Sequence, residues 1–174
     1  MEEKTLPTRK SPRLKNFDYS RGGAYFLTIC THDRKRILST IGQKETIKPV
    51  GEGFALPQLT QTGQIMEYWL NKISEHFQNV EIGEYVIMPN HIHVIMILSG
   101  RAAGASPRPT IADIVCAYKS LTTRECKKNG FEGKLFQTSF YEHIIRGRED
   151  YEEIVKYIYE NPLRWHYNEL YAEE

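Results

Sequence analysis

The sequence predicts one α+β domain: a mainly antiparallel, ferredoxin-like sheet with helices packed on one face. Segments rich in aromatic and β-branched residues alternate with segments of helical periodicity, in the order strand, helix, two strands, helix, strand, helix. The chain has 174 residues, of which 40% are hydrophobic, so it can bury one sizeable core. It contains no internal repeat. One domain over residues 22–174, preceded by a basic arm over residues 1–21, is therefore expected.

The first half of the chain predicts a strand, an irregular region and a helix. Residues 24–34 are aromatic and β-branched and follow two glycines, which favours a strand. Residues 37–60 hold scattered Gly and Pro and predict a short helix or loop followed by an irregular hairpin. Residues 60–77 predict a helix, since apolar residues recur at three- and four-residue steps: Ile65, Met66, Trp69, Leu70, Ile73 and Phe77.

The second half predicts the rest of the sheet and two more helices. Residues 80–98 form two strands, or one kinked strand, because Pro89 and Asn90 interrupt an apolar run. The later elements are a flexible loop over 99–108, a helix over 110–128, a strand over 136–146 and a last helix over 149–159.

His91 and His93 lie two residues apart in the predicted strand. Side chains at that spacing point to the same face of a strand. Neutral imidazole is the commonest metal ligand, so the pair can form half of a divalent-metal site. Two partly buried histidines that bond only to the backbone are the structural alternative, and the spacing alone does not decide between the two.

The last helix carries a second group of polar side chains. Its apolar stripe consists of Tyr151, Ile154, Val155 and Ile158. Tyr157 and Asn161 share one flank, one turn apart, with Asp150 nearby, so Asn161 can offer its carbonyl oxygen to the same metal. Pro162 is expected to end the helix. Alternatively, Tyr157 is a rim residue and Asn161 a C-terminal cap. Asp150 is a ligand, an N-cap or neither.

Three segments together carry a family resemblance. PNHIH after an apolar strand, then YEHIIR, then YIYENP in a late helix resemble the REP-associated tyrosine transposases, which are single-tyrosine HUH transposases (HUH denotes His, hydrophobic residue, His). The likeness spans about residues 22–165. It implies the HUH transposase fold, with His91 and His93 as metal ligands, Tyr157 as nucleophile and Asn161 as third ligand. Some relatives of the wider group have Gln at that last position.

The resemblance implies metal-dependent cleavage and rejoining of single-stranded or hairpin DNA through a 5′-phosphotyrosine intermediate. Mg²⁺ or Mn²⁺ is the expected cofactor, since both accept mixed nitrogen and oxygen ligands. Zinc is less favoured because the predicted site contains no thiolate. A metal nuclease that uses water and a hairpin-binding protein without catalysis are the alternatives. Relatives include dimers with shared active sites as well as monomers, so a homodimer is possible.

The cations are unevenly distributed, although the net charge is only +1. A cluster in the N-terminal arm can attract phosphate, and the resemblance implies that it binds hairpin DNA: Arg9, Lys10, Arg13, Lys15 and Arg21. A solvated, disordered tail is the alternative. Unpaired bases stack on aromatic side chains, for which the candidates are Phe17, Tyr19, Tyr25, Tyr141 and Trp165.

The cysteines and the hydropathy of the chain indicate its expected cellular compartment. Cys30, Cys116 and Cys126 are odd in number and widely separated, which supports neither a disulfide framework nor a zinc knuckle. No apolar run approaches the roughly 20 residues of a membrane span, and the N-terminus is polar. A cytoplasmic protein is expected.

Overall fold

A computed structural model describes residues 22–42, 57–99 and 109–165. The basic arm over residues 1–21, with Arg9, Lys10, Arg13, Lys15 and Arg21, lies outside these ranges. The strands are β1 (Gly23–Cys30), β2 (Ser39–Thr40), β3 (Gln58–Leu59), β4 (Val80–Ile87), β5 (His91–Leu98) and β6 (Tyr141–Ile145). The helices are α1 (Gln61–His76), α2 (Ile111–Lys128) and α3 (Arg148–Arg164).

Four strands form the main sheet in the order β4-β5-β1-β6, and every neighbouring pair is antiparallel. With α1 and α2 as the two crossovers, this order is ferredoxin-like, so the predicted α+β class is confirmed. The run over 80–98 is two strands, because Met88 N–H donates to His91 O across a tight turn at 2.8 Å. β2 and β3 pair as a small separate ribbon, and residues 43–56 of the expected hairpin lie outside the described ranges.

Helices α1 and α2 cover one face of the sheet. This face is apolar and fully buried, with Tyr25, Leu27 and Ile29 on β1 and Ile92 and Val94 on β5. Both helices begin within one residue of the predicted starts and follow a threonine cap. The Thr60 hydroxyl accepts from Gly63 N–H, and Thr110 forms a reciprocal capping box with Asp113. Most of the hydrophobic core lies here.

Helix α3 packs on the opposite face, which corrects the prediction that the helices share one face. Ile158 and Tyr157 of α3 contact a second cluster that contains Phe26, Val86 and Ile95. The strands β1 and β5 are apolar at consecutive positions, so both of their faces need cover. The third helix supplies that cover on the face where the histidine pair lies.

Two predicted strand ends differ from the structure. The first strand stops at Cys30, where the chain turns through Asp33 and Arg34 in left-handed conformations. The last strand is β6 alone rather than 136–146. The Lys119 ammonium donates to the three carbonyls of residues 137–139, at 2.8, 3.3 and 3.1 Å, so these acceptors are bonded to a side chain and form no strand ladder.

Helix α3 does not end at Pro162 but continues to Arg164. Proline removes one helical hydrogen bond because it has no N–H. A helix can still continue past a proline where packing compensates for that loss. Here Pro162 and Trp165 are buried, and Trp165 N–H donates to Pro162 O. Asn161 therefore lies inside the helix and does not cap it. Within the described residues, no helix has the length and hydropathy needed to cross a membrane.

Candidate active site

The side chains of His91 and His93 meet on the α3 face of the sheet. Their Nε2 atoms lie 3.0 Å apart, and only 4% and 5% of the two residues is exposed. Both project from the start of β5, where register pairs His91 with Cys30 and His93 with Thr28 of β1. The rigid central strands thus fix two imidazoles with one ring nitrogen of each at a common point.

The outer nitrogen of each imidazole is held by a side-chain oxygen. His91 Nδ1 lies 2.7 Å from Asn90 Oδ1, which can only accept, so this nitrogen carries the hydrogen and Nε2 keeps its lone pair. His93 Nδ1 lies 2.9 Å from the hydroxyl of Thr28. Because a hydroxyl both donates and accepts, Thr28 can support either tautomer of His93. Both rings are therefore oriented with Nε2 inward.

Burial keeps both imidazoles neutral. Burial, with a smaller repulsion from Arg34, lowers the pKa of His91 from 6.5 to about 3. Burial and the neighbouring His91 likewise hold the pKa of His93 well below its ordinary value. A neutral imidazole presents a lone pair to a cation without first losing a proton. At neutral pH this pair is ready to bind metal.

Tyr157 of α3 reaches the same point. Its hydroxyl lies 3.5 Å from His93 Nε2, at the outer limit of a hydrogen bond, in the same chain. Phe26 stacks on the His93 ring at 5.2 Å between centroids, and the Tyr157 ring meets Phe26 edge-on at 6.0 Å. This aromatic packing orients the phenol over the imidazole pair.

Asn161 lies one helical turn beyond Tyr157 on α3 and is fully buried. Asp150 is engaged elsewhere, since its carboxylate accepts from Arg146 N–H at 2.7 Å and lies 3.0 Å from His143 Nε2. These two contacts, the backbone one first, lower the pKa of Asp150. Asp150 thus fastens β6 to the start of α3, whose N-cap position is occupied by Gly147.

Among the described residues, no three His, Cys, Asp or Glu side chains are grouped to hold a metal. A third ligand from the described chain would therefore be an amide or a hydroxyl, as predicted for Asn161.

Of the proposed stacking residues, Tyr25 and Trp165 are core side chains, at 0% and 6% exposure, whereas Tyr141 is exposed. Phe17 and Tyr19 lie outside the described residues.

Sequence reasoning did not assign roles to Thr28, Asn90 or Arg34. Thr28 meets His93 only through the pairing of β1 with β5, which has no local signature. Asn90 adjoins His91 and carries a side-chain acceptor, a signal that could have been used. Arg34 stands beside Lys35 and Arg36 in the sequence, but its influence on His91 depends on the turn at residues 32–34.

Comparison with known protein families identifies the chain as a transposase of the insertion-sequence type. The family model described as "Transposase IS200 like" matches residues 21–161, and the chain belongs to this family. The resemblance to the REP-associated tyrosine transposases within it is confirmed by the comparisons that follow.

Two curated relatives cover most of the chain. An uncharacterized protein of Haemophilus influenzae is 31% identical over an alignment of 180 positions, which covers 95% of this chain and 94% of the relative. The REP-associated tyrosine transposase of Escherichia coli is 27% identical over 146 residues, 84% of this chain and 70% of the relative.

A solved structure, that of a REP-associated tyrosine transposase bound to a REP hairpin, shares the fold. Its TM-score is 0.60 at 23% identity, and the match covers 87% of this chain and 73% of that one.

Proposed function

We propose that this protein cleaves and rejoins single-stranded or hairpin DNA, with Tyr157 as nucleophile and a divalent cation bound by His91 and His93. One observation carries the proposal. The Tyr157 hydroxyl lies 3.5 Å from His93 Nε2, which itself lies 3.0 Å from His91 Nε2, so nucleophile and ligand pair converge within one chain. A homodimer is compatible with this arrangement but is not needed to complete it.

The donor set fits Mg²⁺ or Mn²⁺. The two Nε2 atoms lie 3.0 Å apart, so both can bind one divalent ion. A donor set of imidazole nitrogens and amide oxygen without a thiolate suits Mg²⁺ or Mn²⁺. We assign the Asn161 carbonyl oxygen as the third ligand, because Asn161 is buried one turn beyond Tyr157. When bound, the ion would neutralise charge on the scissile phosphate.

The chain's own residues then orient the reaction. Asn90 and Thr28 hold the imidazoles with Nε2 inward, and Phe26 positions the Tyr157 ring. The Tyr157 oxygen forms a bond to phosphorus while the bond from phosphorus to the 3′ oxygen breaks. The phenolic proton passes to solvent, and the leaving oxygen takes up a proton to become a 3′-hydroxyl. Attack by a second 3′-hydroxyl reverses these steps, which rejoins DNA without ATP.

The proposed substrate follows from the related proteins. The solved relative is described as bound to a REP hairpin, and a hairpin of this kind is our proposed target. The basic N-terminal arm would contribute phosphate contacts through Arg9, Lys10, Arg13, Lys15 and Arg21.

A covalent adduct assay tests the proposal. With Mg²⁺ or Mn²⁺ and labelled hairpin DNA, the wild-type chain should give a protein-DNA band that survives SDS, and Tyr157→Phe should not. Tyr159→Phe is the matched control: it lies on the same helix, is 46% exposed and bonds to Glu84 away from the histidines. This control should form the adduct as well as wild type does.

The same gel separates the alternatives. Cleaved DNA without an adduct would indicate a nuclease in which water attacks. Binding that is indifferent to metal, with no cleavage of any hairpin, would indicate a hairpin-binding protein. An adduct that persists in Tyr157→Phe would refute the assignment of the nucleophile.

A further inference from the structure

A second concave surface lies on the opposite side of the sheet from the imidazoles. It is a groove of about 1100 Å³ between α2 and the segment over residues 133–140. The groove has an apolar base, in which Val115 and Leu135 are buried and Phe140 is partly exposed, and polar edges. It is much larger than the space needed for one small ion.

The charge of this groove is one-sided. Five cationic side chains line it, and no acidic residue does: Lys119, Arg124, Lys127, Lys128 and Lys134. The whole chain has a net charge of only +1. Such a concentration of one sign in a cleft attracts an extended anion, because the field is focused between low-dielectric walls. The groove is therefore complementary to a polyanion.

The cations have different roles. Lys119 is committed to the three carbonyls of residues 137–139, and its pKa is lowered because it is partly buried. Lys128 pairs with Glu125 at 3.3 Å. Arg124 and Lys127 are exposed, and neither contacts an acidic side chain within the described part of the chain. Lys119 thus holds the segment that forms one wall of the groove. Arg124 and Lys127 are available to an anion bound there.

The groove and the candidate active site adjoin the same end of the sheet. The groove wall bonds to the end of β1, where Gln137 N–H donates to Cys30 O at 3.0 Å. Cys30 pairs in register with His91. The next residue, Thr31, donates through both its N–H and its hydroxyl to Asn90 O. The groove wall and the start of the strand that carries the histidines therefore meet at the same end of the sheet.

We propose that this groove binds a single-stranded segment of the DNA substrate, beside the part that reaches Tyr157. The inference rests on the proposed function and names a second contact surface for the same substrate. Single strands combine a phosphate backbone with exposed base faces, which match cationic edges and an apolar base. A duplex would use the cations but not the partly exposed ring of Phe140, and an acidic peptide is the competing occupant.

Charge-neutralising variants of the full chain test the groove. We compare Arg124→Gln/Lys127→Gln with the control Lys72→Gln/Arg148→Gln, which removes one exposed Lys and one exposed Arg on α1 and α3. The probe is oligothymidylate of about 20 nucleotides, longer than the roughly 4–16 nucleotides that such grooves hold. The groove variant should bind about tenfold more weakly at low salt. A plot of the logarithm of its binding constant against the logarithm of the salt concentration should have a slope smaller in magnitude by about 1.4. This is about 0.7 for each of the two lost phosphate contacts.

Cys116 gives an independent readout, because it is exposed and lines the groove. Oligothymidylate should slow its alkylation by a bulky maleimide severalfold, as followed by peptide mass mapping, and polyglutamate should not. Unchanged alkylation with DNA bound, or groove and control variants of equal affinity, would overturn the inference. Protection by polyglutamate alone would assign the groove to an acidic peptide instead.

These outcomes are separable from those of the proposed function. Failure of wild type to form the adduct with saturating hairpin DNA would reject the reaction, whatever the groove variants do. An adduct in wild type together with equal affinities for the groove and control variants would reject the groove alone.

Discussion

The two faces of the central sheet use alternate residues of the same strands but differ in chemistry. On β5, Ile92, Val94 and Met96 point toward α1 and α2 and form a dry core. His91 and His93, one residue away in each case, point toward α3. Strand alternation therefore places reactive groups on the back of a stable core.

The site face carries a stability cost that the core face does not. A buried polar group is unfavourable unless its hydrogen bonds are satisfied. Asn90 and Thr28 satisfy the outer nitrogens of the imidazoles, but the two inner nitrogens face each other at 3.0 Å. A hydrogen on His93 Nε2 makes this contact a hydrogen bond, whereas in the other tautomer two lone pairs face each other and a cation would relieve their repulsion. The arrangement favours reactivity over packing energy.

The largest expected effect comes from breaking the site face. His93→Ala should reduce adduct formation by at least about a thousandfold, because a ligand of the proposed cation is lost. His76→Ala, at the end of α1, is the control and should leave the adduct unchanged. Adduct yields at fixed Mg²⁺ measure both. A normal yield from His93→Ala would mean that the imidazole pair is not the metal site.

Substitution of the neighbouring residue Ile92 should reduce stability but leave adduct formation unchanged. Ile92→Ala removes a fully buried side chain from the core face and should lower the free energy of unfolding by about 2–5 kcal/mol. Urea unfolding in EDTA measures this loss, and adduct yield per folded molecule should be kept. A cost below about 1 kcal/mol would show that the two faces do not divide stability and reactivity in this way.

The hydrogen-bond partners should have intermediate effects. Asn90→Ala removes the acceptor of His91 Nδ1 and should weaken Mn²⁺ binding about 10- to 100-fold. Asn90→Asp keeps an acceptor at the same place and should restore most of the affinity. Titration followed by electron paramagnetic resonance compares the two. Equal weakening in both variants would point to damage of the turn rather than loss of the hydrogen bond.

The smallest effect is a pH dependence that belongs to the site face. Below about pH 6.5 the unfolded chain protonates His91, whereas the folded chain does so only near its lowered pKa of about 3. The unfolded state thus binds more protons, so stability falls as pH falls, by roughly 1.4 kcal/mol per pH unit for each such imidazole. Urea unfolding in EDTA should show a shallower slope between pH 4.5 and 6.5, ~1.4 kcal/mol less per unit, for His91→Asn. Parallel slopes would contradict the burial argument.

Local periodicity predicted what lies within one element. Alternation on β5 brought His91 and His93 to one face, and the spacing on α3 brought Tyr157 and Asn161 to one flank. The prediction that α3 packs on the same face as the other helices was wrong. The strand pattern shows that both faces of the sheet are buried, but it does not show which helix covers each face. The end at Pro162 was also wrong, since the packing of Trp165 holds one more turn.

Contacts between distant segments had no local signal. Thr28 and His93 are 65 residues apart, and their contact follows from strand register. The groove between α2 and residues 133–140 depends likewise on Lys119 binding carbonyls about twenty residues later. The spacing suggested His91, His93 and Asn161 as metal ligands, whereas the proposed role of Tyr157 as nucleophile came from the resemblance.

Crystals soaked with Mn²⁺ test the central claim most directly, because the ion is located by its anomalous scattering. The account predicts a peak about 2.2 Å from both Nε2 atoms of His91 and His93, with the Tyr157 hydroxyl of the same chain facing it. A strongest peak elsewhere, such as between His143 and Asp150, with none at the imidazole pair, would contradict it.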